Sequence, residues 1–489
     1  MTDLPFRSAT ELTRALAARE LSSRELLELY LARIDALDTR VGAVVTLDAE
    51  RALERADAAD AALARGERWG PLHGLPITVK DCWETAGLRT TCGVESLSDH
   101  VPAENAVTVQ RLLDAGAVLF GKTNTPKWTL DWQTHNDLFG ITRNPWNPER
   151  SSGGSSGGSA AAISAGFAGL QLGSDIGGSI RVPAHCCGVY GHKPTWGIVP
   201  QRGHIPGPPG ALYEKDINVP GPIARAAEDL ALGLDVLAGP LPEAARAWRL
   251  ELPAPRRERL RDFRVAAWLG EPGFPIDTEV QGRHQAVLDA LRRSGATVDD
   301  RARPEVDLPR ARDLFHRLLS PIIADTFSEE QFEALVGLPP EGQPDAVAEY
   351  SRSLGLRHRD WLFLDDERRR MQAAWARFFR DWDVLLCPAL PVPAIPHDLA
   401  EPMLLRQVEV NGEIQPYVDQ VAWMGLIGAV HLPATVAPVG RTPEGLPVGI
   451  QIVAPHLEDR TSIEFARLLR SEVGGYEPPP GFDSPSGAG

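Results

Sequence analysis

Two serines held between glycines are the residues of this sequence best suited to chemistry. Ser155 stands in the run Gly153-Gly154-Ser155-Ser156-Gly157-Gly158, and Ser179 closes the run Asp175-Ile176-Gly177-Gly178-Ser179, twenty-four residues further on. Glycine-rich backbone can approach other groups closely. Successive N–H groups in such a turn can converge as an anion-binding nest, the donor set that stabilises a developing oxyanion. A serine hydroxyl is a poor nucleophile until a base takes its proton. Lys80, at the end of the short alternating strand Ile77-Thr78-Val79-Lys80, is the candidate base, and serine–lysine pairs are a known form of the nucleophile–base arrangement. To act at neutral pH this lysine must be uncharged, and lowering an ordinary value near 10.4 by about 3 corresponds to roughly 4 kcal/mol. Burial supplies a depression of that size. Lys80 is therefore expected to be dry and bonded to Ser155, not paired with the neighbouring Asp81.

Each of these features has an ordinary reading. A Gly/Ser run is by default a flexible linker, but here it passes without a break into a small-residue helix over Ser159–Gly166, an expected apolar strand over Phe167–Leu172, and the second knot. A lysine ending a strand is by default solvated, and only the two knots give it another purpose. Gly154-Ser155-Ser156-Gly157-Gly158 also fits the G-x-S-x-G nucleophile elbow. That reading makes Ser156 the nucleophile with Asp383 and His431 as nominal partners, and it leaves Lys80 and the second knot without a role.

The elements that must position these residues alternate between helix and strand. Ser8 with Glu11 and Ser22 with Glu25 have capping-box spacing at the starts of two helices, and a third, alanine-rich helix spans roughly 48–65. A helix and then a strand follow between Asn105 and Asn124. The pattern predicts an α/β fold with a large, mixed sheet covered by helices on both faces. Residues 241–262, rich in arginine and proline, read as a surface excursion. Residues 305–380 read as a helical excursion over the sheet, with aromatics such as Phe315, Trp361 and Trp375. The sheet resumes at 383–387, 434–439 and 449–453. One domain over 1–475 and a disordered tail at 476–489 are expected.

Composition limits the partners. The formal charge of −16 comes with no basic stripe, which argues against nucleic acid or an anionic membrane as the main partner and favours a small neutral substrate. Five cysteines are too few and too irregular for a disulfide scaffold or a zinc site. They are expected to be reduced and buried, with no metal and no cofactor required. The N-terminal segment lacks the basic and apolar regions of a signal peptide, so a cytoplasmic location is expected. The uncharged run Val421–Gly440 contains Gly425, Gly428, Pro433 and Pro438 and reads as a buried helix end turning into a core strand, not a membrane span.

Taken together, Lys80, the run Gly153 to Gly158, the run Gly173-Ser174-Asp175-Ile176-Gly177-Gly178-Ser179-Ile180-Arg181, and Gly188 through Lys193-Pro194-Thr195 resemble the amidase signature family. The similarity extends from about Pro71 to Gly239 and returns between Asp383 and Pro455. The resemblance implies the amidase signature fold and a serine, cis-serine, lysine triad. In that triad Ser179 attacks the carbonyl and becomes the acyl-enzyme, Ser155, cis to Gly154, relays the proton, and Lys80 is the base. It also implies an oxyanion hole from the N–H groups of Ile176, Gly177, Gly178 and Ser179, with Asp175 and Arg181 as scaffolding charges and Gly154, Ser156 and Ser174 in support.

Ser174 stands where the family often has threonine, which keeps a hydroxyl. The transamidase member of the family usually has glutamine where this chain has Val182 and continues differently from Trp196-Gly197-Ile198-Val199-Pro200, so a stand-alone amidase is favoured over an amidotransferase subunit. Amides, esters and carbamates all pass through a similar tetrahedral intermediate and all remain open as substrates, with an apolar or aryl acyl group expected from the aromatics. Trp128, Leu130 and Trp132 are candidates for a substrate wall, with core packing as their ordinary role. The oligomeric state is open, a homodimer being one form allowed.

Overall fold

The computed structural model describes residues 3–339, 341–342 and 344–483. The two opening helices begin where their caps predict: in both, the serine hydroxyl accepts from the N–H three residues on, and Glu11 or Glu25 returns the bond. The second, Ser23–Leu37, turns Leu26, Leu27, Tyr30, Ile34 and Leu37 inward, the spacing of one helix face.

Eleven strands among the described residues form one mixed sheet, and fourteen α-helices accompany it. From one edge the order is Val44–Leu47, Val118–Thr123, Pro76–Lys80, Gln171–Asp175, Val219–Ala224, Tyr190–Lys193, Ala434–Arg441, Pro447–Val453, Val384–Pro388, Arg264–Ala267 and Thr297–Asp299. The pair that matters most is Pro76–Lys80 beside Gln171–Asp175. They run parallel with Thr78 opposite Gln171 and Val79 opposite Leu172, so both end on the same side of the sheet and deliver Lys80 and Ser174 together. Active groups of α/β sheets collect at such carboxyl ends.

Two expectations shift, and one strand had not been foreseen. The strand expected over Phe167–Leu172 lies instead at Gln171–Asp175. Gly166 ends the preceding helix at φ +72°, and the Phe167 N–H closes back on Ala162 O at 2.8 Å, so the next residues go into the turn. The strand Val219–Ala224 is hidden in the sequence by Pro220 and Pro222, residues that lack a ladder donor. The tail expected to be disordered from 476 is packed through Phe482. The Tyr476 hydroxyl donates to Ser164 O at 2.9 Å, Phe482 is 1% exposed, and Arg33 donates to Phe482 O at 2.8 Å. Residues 484–489 lie outside the described residues.

The excursion over 305–380 is helical as expected, with its longest helices at Leu308–Ile323 and His358–Phe378. The run Val421–Gly440 is a buried helix, Ala422–Gly428, followed by the strand beginning at Ala434. Among the described residues no helix is long and apolar enough to cross a membrane.

Candidate active site

Lys80 is 0% exposed. Its Nζ donates to Ser155 Oγ at 2.6 Å and to Ser174 Oγ at 3.1 Å. Burial pushes this amine below its ordinary value, against a weaker pull from Cys82, Cys92 and Asp175. Asp81, although adjacent in sequence, turns away and accepts from the Thr91 N–H and hydroxyl. The lysine thus faces hydroxyls, not a carboxylate.

The peptide bond between Gly154 and Ser155 is cis. A Cβ on Gly154 would sit 2.6 Å from Asp131 O and 2.8 Å from Gln133 N, so only glycine lets the first knot lie flat against the segment 131–133. Ser156 stitches the two knots together. Its N–H donates to Ser179 O at 3.1 Å and its hydroxyl to Ser174 O at 3.3 Å. This buried serine is therefore spent on structure. His431 is bonded to Asp216 at 2.8 Å, and Asp383 pairs with Arg257 at 3.1 Å, so the three groups of the elbow alternative are each engaged elsewhere.

Ser179 is 5% exposed against 1% for Ser155, which puts it on the solvent side of the cluster. No hydrogen bond joins the two hydroxyls among the described residues; such bonds often tighten only when substrate is bound. Behind Ser179, Asp175 holds the turn. It accepts from the N–H groups of Gly178 (2.8 Å) and Ile180 (3.1 Å) and from Arg181 Nε and Nη2 at 3.0 and 2.8 Å. Burial alone would raise this carboxyl, but the Arg181 guanidinium and the hydrogen bonds outweigh it and hold it at about 2. Arg181 Nη1 donates to Met424 O and Gln451 Oε1.

The bond from Gly178 departs from the expected oxyanion hole, because its N–H is already given to Asp175. Among the described residues no group accepts from the N–H of Ile176, Gly177 or Ser179. Gly178 serves the turn in another way: its φ is +105°, and a Cβ there would collide with Met424 Sδ.

Of the three expected wall residues the structure brings one to the knot. Trp132 Nε1 donates to Gly177 O at 2.8 Å, and its ring lies 5.4 Å from that of Tyr417. Trp128 packs against the main core instead, and Leu130 is half-buried. Two further neighbours come from distant parts of the chain. Phe315 Cζ and Val421 Cγ2 come within 3.4 and 3.6 Å of where a Gly177 Cβ would stand. Both arrive from more than 130 residues away, and neither carries a local motif.

A family model described as Amidase matches residues 25–463. The chain belongs to the amidase family. It is 33% identical over 471 residues to an acylamidase of Rhodococcus erythropolis, covering 95% of each chain. It is 31% identical to a glutamyl-tRNA(Gln) amidotransferase subunit of Thermosynechococcus vestitus, covering 93% of this chain and 96% of that one. The solved structure of a bacterial aryl acylamidase of the amidase signature family superposes with a TM-score of 0.82 at 25% identity over 99% of both chains. The large mixed sheet is the amidase signature fold, and this family member is a hydrolase acting on amides.

Proposed function

We propose that this amidase works alone on small apolar or aryl amides, with Ser179 as nucleophile, Ser155 as proton relay and Lys80 as base. The observation that carries the reading is the dry Lys80 amine bonded to Ser155 and lacking a carboxylate partner, since a neutral amine is what the chemistry needs. Ser179 Oγ attacks the carbonyl carbon and passes its proton to Ser155, which passes its own to Lys80. The tetrahedral oxyanion is met by the N–H groups of the second knot, foremost those of Ile176, Gly177 and Ser179. Collapse breaks the carbon–nitrogen bond, and the leaving nitrogen takes the proton back through Ser155. Water then repeats the sequence on the acyl-enzyme and releases the acid.

The apolar surround of Gly177, made by Trp132, Phe315 and Val421, supports an apolar acyl group. The acylamidase relative and the aryl acylamidase structure point the same way. Five buried free cysteines fit the reducing cytoplasm. The test is turnover by the purified chain of an acyl anilide, its matching ester and carbamate, and glutamine. Turnover of the anilide without a partner protein is expected. Ammonia release from glutamine alone would support the amidotransferase reading, and preference for the ester or carbamate would correct the leaving group.

A further inference from the structure

The segment 201–218 forms a closed loop beside the site. Its base is stitched by the buried Gln201, whose amide donates to Lys215 O at 2.9 Å and Asn218 O at 2.8 Å and accepts from Asn218 Nδ2 at 2.7 Å. Compact loops with joined ends are frequently functional. The strap leaves the core at Ile205 and re-enters it at Ile217, each 1% exposed. Ile205 N–H donates to Cys82 O at 2.8 Å, two residues from Lys80. Ile217 Cγ2 lies 3.5 Å from where a Gly428 Cβ would stand, a point 3.6 Å from Ile176 O. The two anchors therefore bracket the base on one side and the oxyanion turn on the other.

Between them the tip, 208–214, is exposed, with Leu212 at 71% and Tyr213 at 51%. It is tied to the helical excursion at one carboxylate. Asp325 accepts from the Tyr213 hydroxyl at 2.5 Å and from Lys215 Nζ at 2.6 Å, and its Oδ2 lies 3.3 Å from the Cβ position of Gly207. Beyond it, Gly210 N–H reaches Glu84 at 3.4 Å. Beneath the first anchor, the His204 ring lies 4.5 Å from that of Trp83, and neither His204 Nε2 nor Trp83 Nε1 has a partner among the described residues. The tip thus rests mainly on Asp325.

We propose that Asp325 is a positioning residue that sets substrate size by latching the 201–218 strap over the mouth of the site, so that bulky acyl groups enter only when the latch opens. The inference rests on the assignment of Ser179 as nucleophile. It accounts for two donors on separate strap residues converging on one carboxylate of an element that otherwise belongs to the excursion. Releasing the latch should admit large reagents more readily and leave the chemistry of small ones intact.

The test compares the rates at which Ser179 is labelled by a small reagent, phenylmethanesulfonyl fluoride, and by a long-chain alkyl fluorophosphonate, with the site of labelling mapped by mass spectrometry. In Asp325→Asn the long-to-small rate ratio should rise about fivefold, the factor that one ordinary hydrogen-bonded tie is worth. Tyr213→Phe, a mild change at an exposed ring, should raise it less. Asp325→Glu, which keeps the carboxylate, should stay near the unaltered protein. A ratio unchanged in both Asp325→Asn and Tyr213→Phe, or an equal fall in both rates with a lower melting temperature, would overturn the latch. Absence of label on Ser179 in the unaltered protein would instead overturn the catalytic assignment on which the latch depends.

Discussion

Lys80 and Lys122 lie on adjacent parallel strands, with Val79 opposite Lys122, and both are 0% exposed. Burial lowers both amines, yet only one is placed to act as a base. Lys122 donates to Trp83 O and to Thr85 Oγ1. The carbonyl has no proton to give, and the Thr85 hydroxyl commits its own to Trp83 O at 3.1 Å, so this lysine closes a turn. Lys80 faces two hydroxyls, one of them on Ser155, the serine proposed to relay the proton of Ser179. Lys193 makes the same point: it is buried and pushed down to about 7, but among the described residues its Nζ meets only Pro194 O. A dry lysine is thus a condition for the chemistry and not a sign of it; the partner decides.

The contrast is broken or sharpened first by removing each amine in turn. Lys80→Ala should lower amide turnover by about 10²- to 10⁴-fold, the range for loss of a positioned base, while circular dichroism shows a folded chain. Lys122→Met should do the reverse. It leaves a carbonyl and a hydroxyl without their donor and should cost about 1–3 kcal/mol in denaturant unfolding, with turnover per folded molecule unchanged. Equal losses of activity in the two variants would erase the distinction.

A smaller effect separates the two hydroxyls that Lys80 meets. Ser174→Ala removes one acceptor and keeps the bond to Ser155, so kcat should fall by about tenfold at most. Ser155→Ala should approach the loss seen for Lys80→Ala.

The smallest expected effect is in pH dependence. Burial, opposed by Asp81, brings Lys122 from 10.5 down to about 8. Between those values the unfolded chain holds a proton that the folded chain lacks, so stability rises with pH across the window and the gain is absent below about 8. Lys122→Met should make that rise shallower in unfolding curves measured from about pH 7 to 10, leaving the part that the lowered Lys80 and Lys193 contribute and keeping activity, whereas the rate of the unaltered enzyme should climb with pH as Lys80 loses its proton. A slope unchanged in Lys122→Met would assign it wholly to other groups.

Most residues of the candidate site were picked out by local signals. The capping serines, the glycine knots and a lysine ending a short strand are each readable within a few residues, because turn geometry and strand alternation are local. The displaced strand at Gln171–Asp175 shows where this fails: a left-handed Gly166 ends the helix and spends Phe167–Leu170 on the connection. Proline hid Val219–Ala224. Tyr476 and Phe482, held by bonds to Ser164 and Arg33, pinned a tail whose composition reads as disordered. The excursion at 305–380 was legible, with Phe315 among its aromatics, but which of its residues would face the site was not, and the same holds for Val421 and Asp325, for a different reason. Their roles depend on contacts across more than 100 residues of chain, which no window of sequence contains. Gly178 is a local case that still escaped, because its donor is taken by Asp175 only through the folded turn.

The central claim, that Lys80 activates Ser179 through Ser155, is tested most directly by fluorophosphonate labelling with peptide mapping on the unaltered chain, Lys80→Ala and Lys122→Met. The account predicts label on Ser179 in the unaltered chain and in Lys122→Met, and its loss in Lys80→Ala. Label on Ser156, or label on Ser179 that persists at the same rate without Lys80, would contradict it.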